Sequence, residues 1–259
     1  MLNFCASFMQ ALSGVNMEIK KRIHASEVDF ELKMSMFAIA NTVQNMVTET
    51  LELMGCDNVT LRTKYHSMWV FSKSKFICSR RPVWGEWVTL NCKCVMAKRL
   101  TNVMSVEFID KDGNKIIDSY VEACVIDIES FRFVKLTDIP FEYPAENIDV
   151  KFPIEDFSCD ETFNVTVNAA NIDYSIHLNN TQSILMYLGT LSTEDVHTIF
   201  CEPFTFTVKY SAQARLGDEI VLKRANRDGV IGYVVEKTDG KNVVTARIER
   251  SSQPISEQA

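Results

Sequence analysis

The chain has 259 residues, 46% hydrophobic and 24% charged, which leaves room for one large domain or two small ones and excludes a mostly disordered polymer. A formal net charge of −7 excludes tight general nucleic-acid binding, which needs a broad basic surface. No apolar run reaches the ~18 residues of a membrane-spanning helix, so no membrane span is expected.

The first 16 residues, MLNFCASFMQALSGVN, are mildly apolar but lack a basic leading region, so they read as a short extension rather than a signal peptide. Met17 offers an alternative start. A strand over about 18–26 leads through a loop to one long helix, about Lys33–Met54. There Met36, Ile39, Ala40, Val43, Met46, Val47 and Leu51 recur near a 3.6-residue period, and Gly55 is a natural stop. Strand patterns follow at Met68–Cys78, Trp87–Ala97, Val103–Ile109 and Lys115–Ile128. Thr137–Pro153, with Pro140, Pro144 and Pro153, reads as a linker. A second strand, about 161–169, precedes a helix over about Asn180–Asp195 that Asn179 or Asn180 can cap. Four more strands are predicted at Phe204–Tyr210, Glu219–Arg224, Val230–Glu236 and Asn242–Ile248.

This order of elements is an internal repeat. Asp29 and Asp173, each in the loop before a helix, lie 144 positions apart. Trp84-Gly85-Glu86 answers Leu216-Gly217-Asp218 at 132 positions, and the Asp112-Gly113 turn answers Asp239-Gly240 at 127. The shrinking offset fits a duplicated unit whose second copy has shorter loops. One long helix plus a meander of antiparallel strands in each copy suits an α+β fold, a sheet wrapped around a helix. The predicted division is an extension over 1–16, a first unit over 17–137, a linker over 138–153, a second unit over 154–251 and a tail over 252–259.

The eight cysteines form no CxxC and no zinc-ligand spacing with histidine, so free thiols in a reducing cytosol are expected, and neither metal nor organic cofactor is implied. Cys92 and Cys94 share a strand face, where they pack as small apolar residues, and Cys201 reads as a buried strand residue.

Candidate chemistry concentrates in the second copy. Asp173-Tyr174-Ser175-Ile176-His177-Leu178-Asn179-Asn180 brings a carboxylate, a hydroxyl, an imidazole and two amides to the start of a helix. Such a terminus offers free N–H groups and partial positive charge to an oxyanion, while a carboxylate and histidine can activate water. The same residues also suit plain turn and capping roles, with His177 a satisfied loop histidine.

The motif resembles the D-x-N-x-H-x-N-N signature of bacterial and plant acyl-ACP thioesterases. Met68-Trp69-Val70-Phe71-Ser72, Arg81-Pro82-Val83-Trp84-Gly85-Glu86-Trp87-Val88 and Phe108-Ile109-Asp110-Lys111-Asp112-Gly113 resemble that family's first-copy signatures, so the resemblance runs from about Met17 to Arg250. It implies a tandem, or double, hotdog fold. The implied activity is hydrolysis of acyl-ACP to free fatty acid and acyl carrier protein, terminating fatty acid synthesis in the cytoplasm. Asp173 and His177 carry over as catalytic. The family's intermediate Asn is Ser175 here, and its Glu is Gln213 within Tyr210-Ser211-Ala212-Gln213-Ala214-Arg215. Glutamine cannot act as a base but can hold a water. Asn179 and Asn180 are expected at the substrate, and Trp69, Met36, Ala40, Val43 and Met46 along an acyl tunnel in the first unit. The acidic carrier protein is the implied partner, and Lys73, Lys75, Arg80 and Arg81, or Lys223, Arg224 and Arg227, are candidate docking cations. Monomer and homodimer are both open, because duplication supplies within one chain what single hotdogs obtain by dimerising. Other readings are a thioesterase for acyl-CoA or another acyl carrier, or a non-catalytic acyl-binding protein. A hotdog dehydratase is disfavoured, since no His-x-Phe-Pro occurs.

Overall fold

The strands of this chain join into one antiparallel sheet, alternating half-buried and exposed side chains at its edges and buried almost throughout at β4 and β5. The structure, a computed structural model, describes residues 15–144, 147–227 and 230–250, without the side chains of Arg227 and Val230. The expected extension lies outside these residues as far as residue 14, Cys5 included, and the expected tail lies wholly outside them.

The first half runs β1 (Asn16–Arg22), α1 (Met36–Leu53), α2 (Asn58–Tyr65), β2 (Ser67–Cys78), β3 (Trp87–Ala97), β4 (Thr101–Ile109), β5 (Lys115–Asp127) and the short β6 (Phe133–Val134). The second runs β7 (Glu161–Thr166), α3 (Asn180–Leu188), α4 (Thr193–Ile199), β8 (Phe204–Tyr210), β9 (Glu219–Arg227), β10 (Val230–Lys237) and β11 (Asn242–Arg250). Strand order is β1-β3-β4-β5-β2-β8-β11-β10-β9-β7, with β6 paired to β5. The order reads the same from either edge once β1 is matched to β7, β3 to β9, β4 to β10, β5 to β11 and β2 to β8. The repeat is therefore a repeat of topology, and the fold is the double hotdog that the family resemblance implies.

The two halves meet at the antiparallel seam between β2 and β8, from Lys73 opposite Lys209 to Cys78 opposite Phe204. At its centre Phe76 and Phe206 stack with ring centroids 5.9 Å apart. Gly113 and Gly240, at φ of 85° and 82°, make the two hairpin turns in a backbone region where a side chain would strain.

Helix α1 starts where the Ser35 hydroxyl accepts the Ala38 N–H, and it buries Ile39, Val43, Met46, Val47 and Leu51 against the sheet. Across the sheet interior Leu90, Cys92, Val106, Phe108 and Ala123 are fully buried. Each large side chain so removed from water contributes about 1.5–3 kcal/mol before entropy is counted. Cys92 packs there as expected, and burial pushes its thiol up to about 12.

Two local readings change. The second long helix is broken: α3 ends at Gly189, and α4 restarts with Ser192 and Asp195 forming a reciprocal capping box. Cys201 is exposed in the loop before β8 rather than buried in a strand. Helix α2 is an element that hydrophobic periodicity does not predict, because Leu61 is its only buried residue. None of the described helices is long and apolar enough to cross a membrane.

Candidate active site

The loop before each helix folds identically in both copies. In the first, the Asp29 N–H donates to the Lys33 carbonyl at 2.9 Å, Leu32 turns back on Asp29, and Met34 N–H reaches the Pro82 carbonyl. In the second, Asp173 N–H donates to the His177 carbonyl at 3.1 Å, Ile176 turns back on Asp173, and Leu178 N–H reaches the Ala214 carbonyl. Leu32 and Ile176 both take positive φ, 61° and 62°. The isolated bridges Lys33–Val83 and His177–Arg215 are likewise matched. Equivalent positions are thus Asp29 and Asp173, Glu31 and Ser175, Lys33 and His177, Arg81 and Gln213. The backbone is duplicated, and the side chains decide what each copy does.

In the first copy Arg81 fills the loop. Its side chain is 1% exposed, and it bonds three carboxylates: Asp29 through Nη1, Glu31 through Nη2 at 2.7 Å and Glu202 through Nε at 3.0 Å. Lys33 adds a 3.0 Å pair to Glu202, and His197 of α4 bonds Glu31 at 2.5 Å. The His197 bond, with help from Lys33 and Arg81, holds the Glu31 carboxyl below its usual range. Burial pushes Glu202 upward, but a backbone bond, Lys33 and Arg81 outweigh it, so this carboxyl is lowered too. This loop is filled by an ionic lock between the halves.

In the second copy the equivalent loop opens onto a cavity of about 590 Å³. Asp173 Oδ1 accepts the Ser175 N–H at 2.8 Å and the Ser175 hydroxyl at 2.5 Å. Ser175 Oγ is 3.2 Å from His177 Nδ1. Since the serine proton is given to the carboxylate, Ser175 Oγ is free to accept from Nδ1–H, which leaves the lone pair of the imidazole on Nε2. Burial first, then the Arg215 charge, with smaller effects of Arg62 and Lys237, lower the His177 pKa against the pull of Asp173. A neutral imidazole with an available lone pair is the form that can take a proton.

Asn179 caps α3, its side-chain oxygen accepting from the Thr181 N–H at 2.9 Å, and Asn179, Asn180, Gln213 and Trp69 line the same cavity as Asp173, Ser175 and His177. Met36, Ala40, Val43 and Met46 do not line it; they are buried in the core of the first half. Helix α1 instead turns Gln44, Asn45, Thr48, Glu49 and Glu52 to the cavity, with the buried Leu51 at the border of the two faces. The helix face predicted from apolar periodicity is the face that packs on the sheet, whereas the cavity wall is the more polar flank one turn on. Trp69 is 5% exposed and fixed, its indole N–H donating to the Cys56 carbonyl at 2.7 Å.

Wall residues missed from the sequence come from α2 and its start: Asp57, Asn58, Val59 and Arg62. Asn58 holds two parts of the site together. Its side-chain oxygen accepts the Trp69 N–H at 2.8 Å, and its amide donates to the Tyr174 hydroxyl. The available signal was Asp57, an N-cap residue whose carboxylate accepts from Val59 and Thr60.

The expected docking cations are mostly engaged. Lys73 pairs with Glu122, Arg80 with Glu86 and Asp110, Lys223 with Glu236 and Arg224 with Glu161. Arg81 is buried, and the Arg227 side chain lies outside the described residues. Among the described residues no three His, Cys, Asp or Glu side chains converge as a metal site.

Residues 14–143, half of the chain, match the family described as acyl-ACP thioesterase, N-terminal domain. In structure the chain is similar to an acyl-ACP thioesterase from Bacteroides thetaiotaomicron, with 18% identity, a TM-score of 0.74, and coverage of 90% of this chain and 97% of that one. It is similarly close to the 12:0-ACP thioesterase from Umbellularia californica, with 17% identity, a TM-score of 0.73, and 93% and 98% coverage. At such identities these likenesses establish the double hotdog fold. No curated protein matches the sequence.

Proposed function

Since the chain belongs to the acyl-ACP thioesterase family and so hydrolyses the thioester joining an acyl group to acyl carrier protein, we propose that it does so at Asp173, Ser175 and His177, with water as the nucleophile. The observation that carries this reading is the hydrogen-bonded chain from Asp173 Oδ1 through Ser175 Oγ to His177 Nδ1, at 2.5 and 3.2 Å, beside the cavity.

Asp173 and Ser175 fix the tautomer and orientation of His177, and Nε2 takes a proton from water. The hydroxide oxygen bonds to the carbonyl carbon as the C=O electron pair moves onto oxygen. Collapse of this tetrahedral intermediate expels the carrier's thiolate, which takes the proton back from His177. The acid formed ionises to carboxylate. Gln213, unable to accept the proton, orients the water. Asn179 and Asn180 stand at the start of α3, where the helix dipole favours the developing negative charge. Serine replaces the family's asparagine with a shorter group that still spans carboxylate and imidazole, so the departure keeps the connection.

The acyl chain enters the cavity between Trp69 and the flank of α1. We assign acyl binding chiefly to residues 17–137 and the reacting loop to residues 154–251. Seven free cysteines among the described residues support a reducing cytoplasm as the site of action. The second half supplies the seam that a lone hotdog would find in a partner, which supports a monomer as the working unit, with a homodimer the alternative.

The test is hydrolysis of a panel of acyl-ACPs by the wild-type protein and by Asp173→Ala, with the released acids identified. Near-complete loss of turnover in Asp173→Ala is expected. Full activity in that variant would move the chemistry elsewhere. Matched acyl-CoA substrates in the same assay separate the two carriers.

A further inference from the structure

The cavity holds one cation that the reaction above leaves unused. Arg62, from the last turn of α2 in the first half, lines it together with His177 of the second. Arg80, Arg81, Arg224 and Arg247 each meet a carboxylate within 3.5 Å. Among the described residues Arg62 meets none. Its Nε is buried without a hydrogen-bond partner, and Nη2 reaches only the Met68 sulfur at 3.8 Å. None of the carboxylates lining the cavity pairs with Arg62: Asp57 caps α2, Asp173 accepts from Ser175, and Glu49 and Glu52 are exposed residues of α1.

The guanidinium is nonetheless held in place. It lies over the Tyr174 ring, 5.3 Å from the centroid, and Asn58 anchors the Tyr174 hydroxyl. Tyr174 stands in the chain between Asp173 and Ser175, so Arg62 is fixed to the reacting loop itself. Its charge also contributes to lowering the His177 pKa. Half-burying a guanidinium without a counter-ion costs free energy that an arriving anion would return.

Hydrolysis makes two anions in sequence at one place: the tetrahedral oxyanion and the product carboxylate. We propose that Arg62 is the anion-recognition residue of this cavity, its forked N–H groups binding the oxyanion and then the carboxylate of the released fatty acid. The proposal rests on the reading that the thioester reacts beside His177. It gives the first half a part in the chemistry, and it makes the free acid a better ligand than a neutral chain of equal length.

The experiment compares full-length wild type, Arg62→Gln and Arg62→Lys on acyl-ACP, with two inhibitors matched to the best substrate's chain length: the free fatty acid and the corresponding fatty alcohol. Arg62→Gln should lower kcat about 10–100-fold with KM within about threefold, as expected for a donor to a developing oxyanion that remains partly open to solvent. Its inhibition constant for the acid should rise about tenfold or more while that for the alcohol stays unchanged. Arg62→Lys, which keeps the charge but not the fork, should recover part of both. The unchanged alcohol constant shows that cavity and fold are intact. An unaltered kcat and acid preference would overturn the proposal, and so would equal weakening of acid and alcohol, which would make Arg62 a wall residue. Full activity in Asp173→Ala would remove the underlying reading instead, and the proposal with it.

Discussion

Replacing Arg81 by methionine should cost far more stability than replacing its neighbour Arg80 by glutamine. Arg81 is 1% exposed in its side chain and is shared by Asp29, Glu31 and Glu202, themselves only 12–16% exposed. Without the guanidinium, three carboxylates face one another with Lys33 and His197 as their remaining partners. Breaking a buried pair by removing one partner costs about 3–5 kcal/mol, a large share of the ~5–15 kcal/mol that holds an ordinary domain. Arg80 is 42% exposed although its bonds to Glu86 and Asp110 are good, so its loss should cost no more than about 1 kcal/mol. The acid dependence adds a second signature. In wild type the Glu31 and Glu202 pKa values are depressed, so their stabilisation is complete above the unfolded value of about 4.3 and is lost as pH falls through the lower folded values. In Arg81→Met the crowded carboxylates bind protons more readily, and the gap to wild type should narrow below about pH 5. Urea unfolding at pH 7 and pH 4.5, followed by circular dichroism, measures both effects. A cost below about 1 kcal/mol at pH 7, or one unchanged at pH 4.5, would refute the ionic-lock argument.

Two further expectations concern the reacting loop. Because His177 must be neutral to accept a proton and its pKa is lowered from 6.5, kcat/KM should fall with acid only below that value. A pH profile whose acid limb lies at or above 6.5 would contradict the assignment. Ser175→Ala should reduce kcat by about 10–100-fold through loss of one charge-assisted hydrogen bond, whereas Ser175→Asn, whose amide can also bridge Asp173 and His177, should retain most turnover; equal loss in both variants would speak against the bridge.

The repeat was legible because it is written in residues with few substitutes. Gly113 and Gly240 need positive φ, and Asp29 and Asp173 both bind the backbone two residues on. Strand limits were close for the same reason, alternation ending where a turn residue begins. Helix α2 was illegible because Asn58–Tyr65 has no apolar stripe; its place is set by the Asp57 cap and by Leu61 alone. With α2 went Asn58 and Arg62, which belong to the cavity only once the halves are brought together. The α3–α4 break was readable in Ser192 and Asp195, but a run of leucines resembled one continuous helix. The loop motif itself told which residues are neighbours in sequence. That Ser175 stands between Asp173 and His177 in space follows from the positive φ of Ile176, which no propensity favours.

The matched loops also bear on how such a protein can change. A symmetric pair of identical chains would carry every substitution twice, so an arginine placed to brace one loop would also block the other. Joined in one chain and closed by the β2–β8 seam, the copies answer to different demands. One equivalent position holds Arg81 and the other Gln213; one holds Lys33 and the other His177. Rigidity and reactivity, which compete for the same few side chains within a single loop, are here divided between two loops of the same shape.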